Sequence, residues 1–201
     1  NYYLQTFKRF PLTIAEGEGC YVWDIEGKRY LDMLAGIAVN SVGYSHEKHL
    51  KAIKEQAKKI MHISNFFLTE PQYELSKKLT ELSSLERVFL TNSGAESVEG
   101  AIKIARKYAN KNGRGGEILS FENSFHGRTL ATIASGKQQY QNGFEPIPKG
   151  FKQVKFNDID DVIANVSTET GGIIIEPIQG EGGINIADKK FLQDLRKYCT
   201  E

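Results

Sequence analysis

ERVFLTNSGAESVEGAIKIARKYA, residues 86–109, changes its period halfway along. The apolar run Val88, Phe89, Leu90 reads as a short strand, and beyond Ser93 the pattern becomes that of a helix. A strand that passes through a tight turn into a helix is the repeating unit of an α/β sheet. Ser93 and Glu96 stand at capping-box spacing, which puts the turn at the helix N-terminus. Unpaired amide hydrogens there, with the positive end of the helix dipole, favour an anion by about 0.3 to 1 kcal/mol when exposed. Gly94 lets a phosphate approach the backbone, Ala95 keeps the approach open, and the Ser93 hydroxyl can add a hydrogen bond. The same residues equally describe a well-capped helix with no ligand.

The alternation continues downstream. GEILSFE, QVKFN and GGIIIEP read as strands, while NDIDDVIANV and DKKFLQDLRKYC read as helices between or after them. The expected class is α/β with a mostly parallel sheet and flanking helices. Upstream, CYVWDIEGKRYLDML alternates β-formers around IEGK and predicts a hairpin near residues 20–34, a small N-terminal β element. After Ser45, Leu50, Ile53, Ala57 and Ile60 recur at helical spacing. A second helix is expected to start near Thr69, with Gln72 at capping-box spacing and Pro71 in the first turn. The last helix pattern runs into Glu201 with no capping glycine and no following strand, so the expectation is a truncated domain.

Composition narrows the partners. The 201 residues are 40% hydrophobic, with 26 basic side chains against 25 acidic ones, so no global field draws nucleic acid or an anionic membrane. No apolar run approaches the roughly 20 residues that cross a bilayer, and the opening NYYLQTFKRFPLTIAEGEG lacks a signal-peptide core; the expected compartment is the cytoplasm. Cys20 and Cys199 share no ligand-like spacing, so both are expected to be reduced, and no metal is expected. A P-loop needs GxxxxGK followed by Ser or Thr, and a dinucleotide fold needs GxGxxG; neither occurs, so any phosphate at SGAES belongs to another ligand.

Two further stretches carry chemistry. In ENSFHGRTLAT, residues 122–132, Phe125, His126, Gly127 and Arg128 follow a predicted strand end, where open α/β sheets place their ligands. An aromatic face beside a guanidinium suits a flat ring with an anionic substituent, and Arg128 can take a carboxylate through two parallel hydrogen bonds. His126 is open to two readings, a partly buried histidine that orients the loop or an acid–base group. In GGIIIEPIQGEGGI, residues 171–184, three consecutive isoleucines imply a strand buried on both faces, with Glu176 appearing as it ends. Glu181 lies in a glycine-rich loop and is either solvated or ligand-facing.

In order and spacing, SGAES, FHGRT and EPIQGEGG resemble the class III aminotransferases of the ω-amino acid type, which use pyridoxal 5'-phosphate on the type I aminotransferase fold. YVWDIEGKRYLDMLAGIAVNSVGYSH and SNFFLTEPQYELSKKL extend the likeness over virtually the whole chain. The resemblance implies residues 1–45 as the start of the small domain and 46–201 as the first part of the large cofactor-binding domain. It implies that Ser93 and the amides of Gly94 and Ala95 bind the cofactor phosphate, although the family more often has threonine where Ala95 stands. Phe125 would stack on the ring, His126 would support that loop, and Glu176 would lie near the cofactor. Arg128 would grip the substrate α-carboxylate, and Glu181 would help sort substrates. Ornithine-type members tend to carry tyrosine where Gly36 stands; glycine leaves room for an acyl group and implies N-acetylornithine, or N-succinyl-diaminopimelate, as amino donor, with 2-oxoglutarate as acceptor. A homodimer is also implied. The Schiff-base lysine belongs to the family's next segments, and no lysine of this chain stands in a matching context. The rival expectations are another class III aminotransferase, acting on succinyl-diaminopimelate, ornithine or 4-aminobutyrate, and a non-catalytic anion-binding protein.

Overall fold

The computed structural model describes residues 2–201, which divide into two compact units at the Glu70–Pro71 boundary.

In the first unit β1 (Ile14–Glu18), β2 (Tyr21–Asp24) and β3 (Arg29–Leu31) form an antiparallel meander in the order β1-β2-β3. The expected hairpin is therefore present with an extra strand in front of it. IAEGE has too few apolar positions to announce β1, whose side chains are mostly exposed. Buried Asp24 closes the β2–β3 turn by accepting from the amides of Glu26 and Lys28 at 2.9 Å and from the Tyr30 hydroxyl at 2.7 Å. The Tyr30 hydroxyl, ahead of the two amides, holds the Asp24 carboxyl below the usual carboxylate range.

α1 (Ala35–Ala38) is a single turn, and it is wound left-handed. Ala35, Gly36, Ile37 and Ala38 have φ of 49°, 64°, 59° and 60°. For residues other than glycine that hand costs about 1 to 2 kcal/mol each, and a β-branched Ile37 is the least suited of them. α2 (Glu47–Lys59) follows as expected, yet Leu50, Ile53 and Ile60 of its predicted apolar face remain exposed.

All of α3 (Glu70–Glu81) but its first residue lies in the second unit, which reaches α4 (Gly94–Lys111) through residues that make no strand. The predicted strand ERVFLTN is a correction. A strand exists by pairing, and among the described residues none pairs with this segment; Phe89 is 71% exposed. The three-stranded sheet is β4 (Glu117–Phe121), β5 (Phe151–Val154) and β6 (Thr170–Ile173), parallel, in the order β5-β4-β6. Between β4 and β5 lie α5 (Leu130–Ala134), capped by Thr129, and a 3-10 turn at Gln138–Tyr140. α6 (Ile159–Asn165), capped by Asp158, joins β5 to β6; the short β7 (Ile178–Gln179) and β8 (Asn185–Ile186) and then α7 (Lys189–Tyr198) follow.

Alternation along β4 sends Leu119 and Phe121 to one face and Ile118 and Ser120 to the other. On the first face Leu119, Phe121 and Val154 pack with Val162 of α6 and Phe191 and Leu195 of α7. Phe191 and Phe156 meet Phe121 edge-on, with centroids 5.7 and 5.9 Å away. On the second face Ala105 and Ala109 of α4 come down on Gly172 and Gly171 of β6. The isoleucine run differs from expectation. Ile173, Ile174 and Ile175 are only half-buried, because β6 is a sheet edge among the described residues.

Candidate functional site

α4 enters β4 through a short connection, so the C-terminal end of α4 lies at the start of β4 and its N-terminus points back to the carboxyl end of the sheet. Ser93 caps it: its Oγ accepts from the Glu96 amide at 3.2 Å. Glu96 completes a displaced capping box, accepting from the Asn92 amide at 2.6 Å instead of that of Ser93. Thr91 Oγ1 and Ser97 Oγ lie 2.5 Å apart and tighten the turn further. Amides of the first turn have no carbonyl within the helix to reach. Above Gly94 the space is open, with nothing within 4 Å of where a Cβ would stand.

The other two motifs meet at the same end of the sheet. The Phe125 amide donates to Glu176 Oε2 at 2.8 Å, joining the loop after β4 to the segment after β6. Gln179, almost fully buried, donates from Nε2 to the Glu122 carbonyl at 2.8 Å, and Lys137 Nζ donates to the Glu181 carbonyl. Phe125, His126, Arg128, Glu176 and Glu181 are thus one cluster. Gly36 belongs to the other unit.

Local geometry explains the composition of FHGRT. Gly127 has φ 132°, and a Cβ there would stand 2.9 Å from Thr132 Oγ1. The turn it permits sends His126 inward and Arg128 outward. His126 is 9% exposed, its Nε2 has no hydrogen-bond partner among the described residues, and burial pushes its pKa down to about 4. It is a neutral imidazole at pH 7. Burial raises the Glu176 carboxyl, opposed by the hydrogen bonds from the amides of Phe125 and Gly180. Arg128 rests over the Tyr140 ring at 4.2 Å, and Tyr140 meets Phe125 edge-on at 5.8 Å. Stacking of that kind leaves the guanidinium N–H edge available for a carboxylate. Glu181 is exposed.

Sequence reasoning missed Tyr140, Lys137 and Gln179. Tyr140 and Lys137 lie beyond the quoted motif, in a 3-10 turn and its cap that carry no periodic signal. Gln179 sits inside EPIQGEGG, but nothing in its residue type tells that it is buried.

A capped helix start and a loop cluster at the carboxyl edge of a parallel sheet stand where open α/β proteins place their ligands. The family model described as aminotransferase class-III matches residues 2–201, and the chain belongs to that family. It is 53% identical over 203 residues to the acetylornithine aminotransferase of Methanocaldococcus jannaschii, covering 100% of this chain and 51% of that protein. With the acetylornithine aminotransferase of Agrobacterium fabrum it shares 50% identity over 199 residues, 98% of this chain and 50% of the other. Among solved structures, an ornithine aminotransferase from Toxoplasma gondii superposes with a TM-score of 0.90 at 30% identity, covering 99% of this chain and 48% of that one. That structure holds pyridoxal phosphate at partial occupancy in its active site. The N-acetylornithine aminotransferase of Stenotrophomonas maltophilia matches with a TM-score of 0.78 at 35% identity, over 99% and 49% of the two chains. The fold is that of these aminotransferases, and the chain spans about half the length of the curated relatives it matches.

Proposed function

We propose that this chain is the N-terminal part of a pyridoxal-phosphate-dependent aminotransferase that moves the terminal amino group of N-acetylornithine to 2-oxoglutarate. The products are N-acetylglutamate semialdehyde and glutamate, a step of arginine biosynthesis. The observation that carries this reading is the bond from the Phe125 amide to Glu176, which gathers FHGRT and EPIQGEGG at the sheet's carboxyl edge. Acetylornithine aminotransferases at about half identity over the whole chain support the substrate.

The residues present suit the cofactor. The α4 start, open above Gly94, supplies donors for a phosphate, and Ser93 stands beside it. Ala95 leaves its amide for the same group. Phe125 offers a ring face to a flat heterocycle, and Glu176 holds it by its amide. His126, neutral and buried, keeps the loop in place without adding charge. The cofactor, when bound, supplies an electron-withdrawing ring that stabilises negative charge on the substrate carbon. Arg128 orients an α-carboxylate, and Glu181 offers an exposed charge that discriminates among substrates. Gly36 leaves space for the acyl group. Residues 1–45 are then the beginning of the small domain and 46–201 of the large one.

We extend the proposal to a homodimer in the cytoplasm. Exposed Met33, Leu34, Phe66 and Leu68 support an interface, and free Cys20 and Cys199 support a reducing compartment. Among the described residues no helix is long and apolar enough to cross a membrane.

The decisive test is the mass of the intact polypeptide, followed by its visible absorption before and after N-acetylornithine. A mass about twice 22.6 kDa with a yellow band that bleaches on adding the amine is expected. A mass of 22.6 kDa and no visible band would overturn the enzyme reading in favour of an anion-binding protein.

A further inference from the structure

Arg106 and Arg114 spend their guanidinium groups on backbone carbonyls. Arg106 donates to the carbonyls of Gly116, Lys149 and Gly150 at 3.0, 3.2 and 3.1 Å, and Arg114 to those of Thr170 and Ser167 at 3.0 Å each. Arg128 differs. Among the described residues its guanidinium makes no hydrogen bond and no ion pair, and what it touches is aromatic: the Tyr140 ring, with Cζ 4.2 Å from the centroid, and the Phe125 ring at 5.5 Å. A guanidinium carries five N–H donors in one plane. A ring face attracts its charge without taking a donor, so all five stay free for an incoming acid.

The Tyr140 ring is itself fixed. It meets Phe125 at 81°, with centroids 5.8 Å apart. The Tyr140 amide donates to the Lys137 carbonyl at 3.0 Å, and the Lys137 amide donates to the carbonyl of Ser124, the residue before Phe125, at 3.3 Å. Gln141 Nε2 donates to the Ile133 carbonyl of α5 at 3.1 Å, and Gln153 of β5 donates its side-chain amide to the Gly136 carbonyl. The 3-10 turn that carries Tyr140 is therefore tied to the FHGRT loop, to α5 and to the sheet. Tyr140 is half-buried, whereas Arg128 is exposed. An exposed arginine without a platform samples many rotamers, and ordering it is part of the cost of binding a carboxylate. A ring in a set place removes part of that cost before the ligand arrives.

We propose that Tyr140 is the positioning residue for Arg128: its ring, braced against Phe125 and tied down by the turn, holds the guanidinium ready for the α-carboxylate of the amino donor. The inference rests on the reading given above in which Arg128 takes that carboxylate. It goes beyond that reading in assigning part of the carboxylate affinity to an aromatic residue outside the three motifs.

The test uses the intact polypeptide that carries these residues, unsubstituted and as Tyr140→Leu, Tyr140→Phe and Arg128→Lys. Leucine keeps apolar bulk and removes the ring face, and phenylalanine keeps the face. The carboxylate contact is made alike before and during the reaction, so weakening it raises KM and spares kcat. KM for N-acetylornithine should rise about fivefold in Tyr140→Leu, the scale of an exposed cation–π contact, with kcat within about twofold, and Tyr140→Phe should keep the unsubstituted value. Proton NMR of arginine-labelled protein reads the stack without catalysis. The Arg128 side-chain resonances, assigned by their disappearance in Arg128→Lys, should lie upfield in the unsubstituted and Tyr140→Phe proteins and lose that shift in Tyr140→Leu. Resonances with no upfield shift in the unsubstituted protein would overturn the stack, whether or not Tyr140→Leu folds. A shifted Arg128 with an unchanged KM in Tyr140→Leu would overturn the positioning role, as would a Tyr140→Phe protein as impaired as Tyr140→Leu. An unchanged KM in Arg128→Lys would instead refute the carboxylate site assigned above, and the role of Tyr140 with it, while the resonances still judge the stack.

Discussion

His126 and Glu176 are two titratable side chains of one loop cluster, pushed by the same cause in opposite proton senses. Burial disfavours the charged form of each, so the imidazole falls to about 4 and the carboxyl rises. For His126 the unfolded chain takes up its proton first as pH falls below about 6.5, and the native state does so only near 4. Stability is therefore undiminished above pH 6.5 and drains away between 6.5 and 4, on the order of 3 kcal/mol in all. His126→Gln should flatten that slope, read as urea midpoints at pH 7, 6 and 5 against the unsubstituted protein. An equal slope in both proteins would show that His126 titrates alike in the native and unfolded chains. Glu176 is separable by substitution. Glu176→Gln keeps an oxygen for the Phe125 amide and should leave the loop intact. Glu176→Ala removes the acceptor, costing about 1 to 3 kcal/mol and exposing the Phe125 amide to fast exchange.

Elements were legible where a period or a cap announced them. α2, α4, α6 and α7 carry apolar repeats or capping residues, and their positions match expectation within a few residues. β1 and α5 were hidden, one by polar composition and the other by a length of five residues. The segment ERVFLTN reads as a strand but lacks a neighbour, since pairing is a property of the sheet and not of the segment. The motif clusters were readable as sequence, yet the bonds that unite them, from Gln179 and Lys137, join residues 57 and 44 positions apart and leave no local trace. α4 offers the sharpest test at this scale. Gly94→Ala meets no atom, so it should stabilise the protein by about 0.4 to 1 kcal/mol through the unfolded state. If a phosphate seats on that turn, the same methyl group should weaken cofactor binding severalfold. A urea midpoint that rises while cofactor affinity falls is the expected pair; undiminished affinity would remove Gly94 from the phosphate site. Gly171→Ala works at the other end of the helix. Its Cβ would lie 2.7 Å from the Gly115 carbonyl and 2.9 Å from Ala109 Cβ, and the overpacking should cost about 1 to 3 kcal/mol.

At the scale of the whole molecule, surface apolarity dominates. Phe66 and Leu68 are each 94% exposed, Met33 is 87% exposed, and the apolar face of α2 is uncovered. β5 and β6 each present an unpaired edge among the described residues, and 88–90 is apolar chain outside any strand. Exposed edges and contiguous apolar patches drive association between copies, and little in the charge balance opposes it, because the net charge is +1. The 201 residues produced alone should therefore associate in a concentration-dependent way, bind an apolar dye strongly, and melt without a single sharp transition. Sedimentation velocity over a tenfold range of concentration measures the first of these directly. A monomer at all concentrations with one cooperative melt would mean that the buried cluster around Phe121 suffices to hold the second unit without further cover.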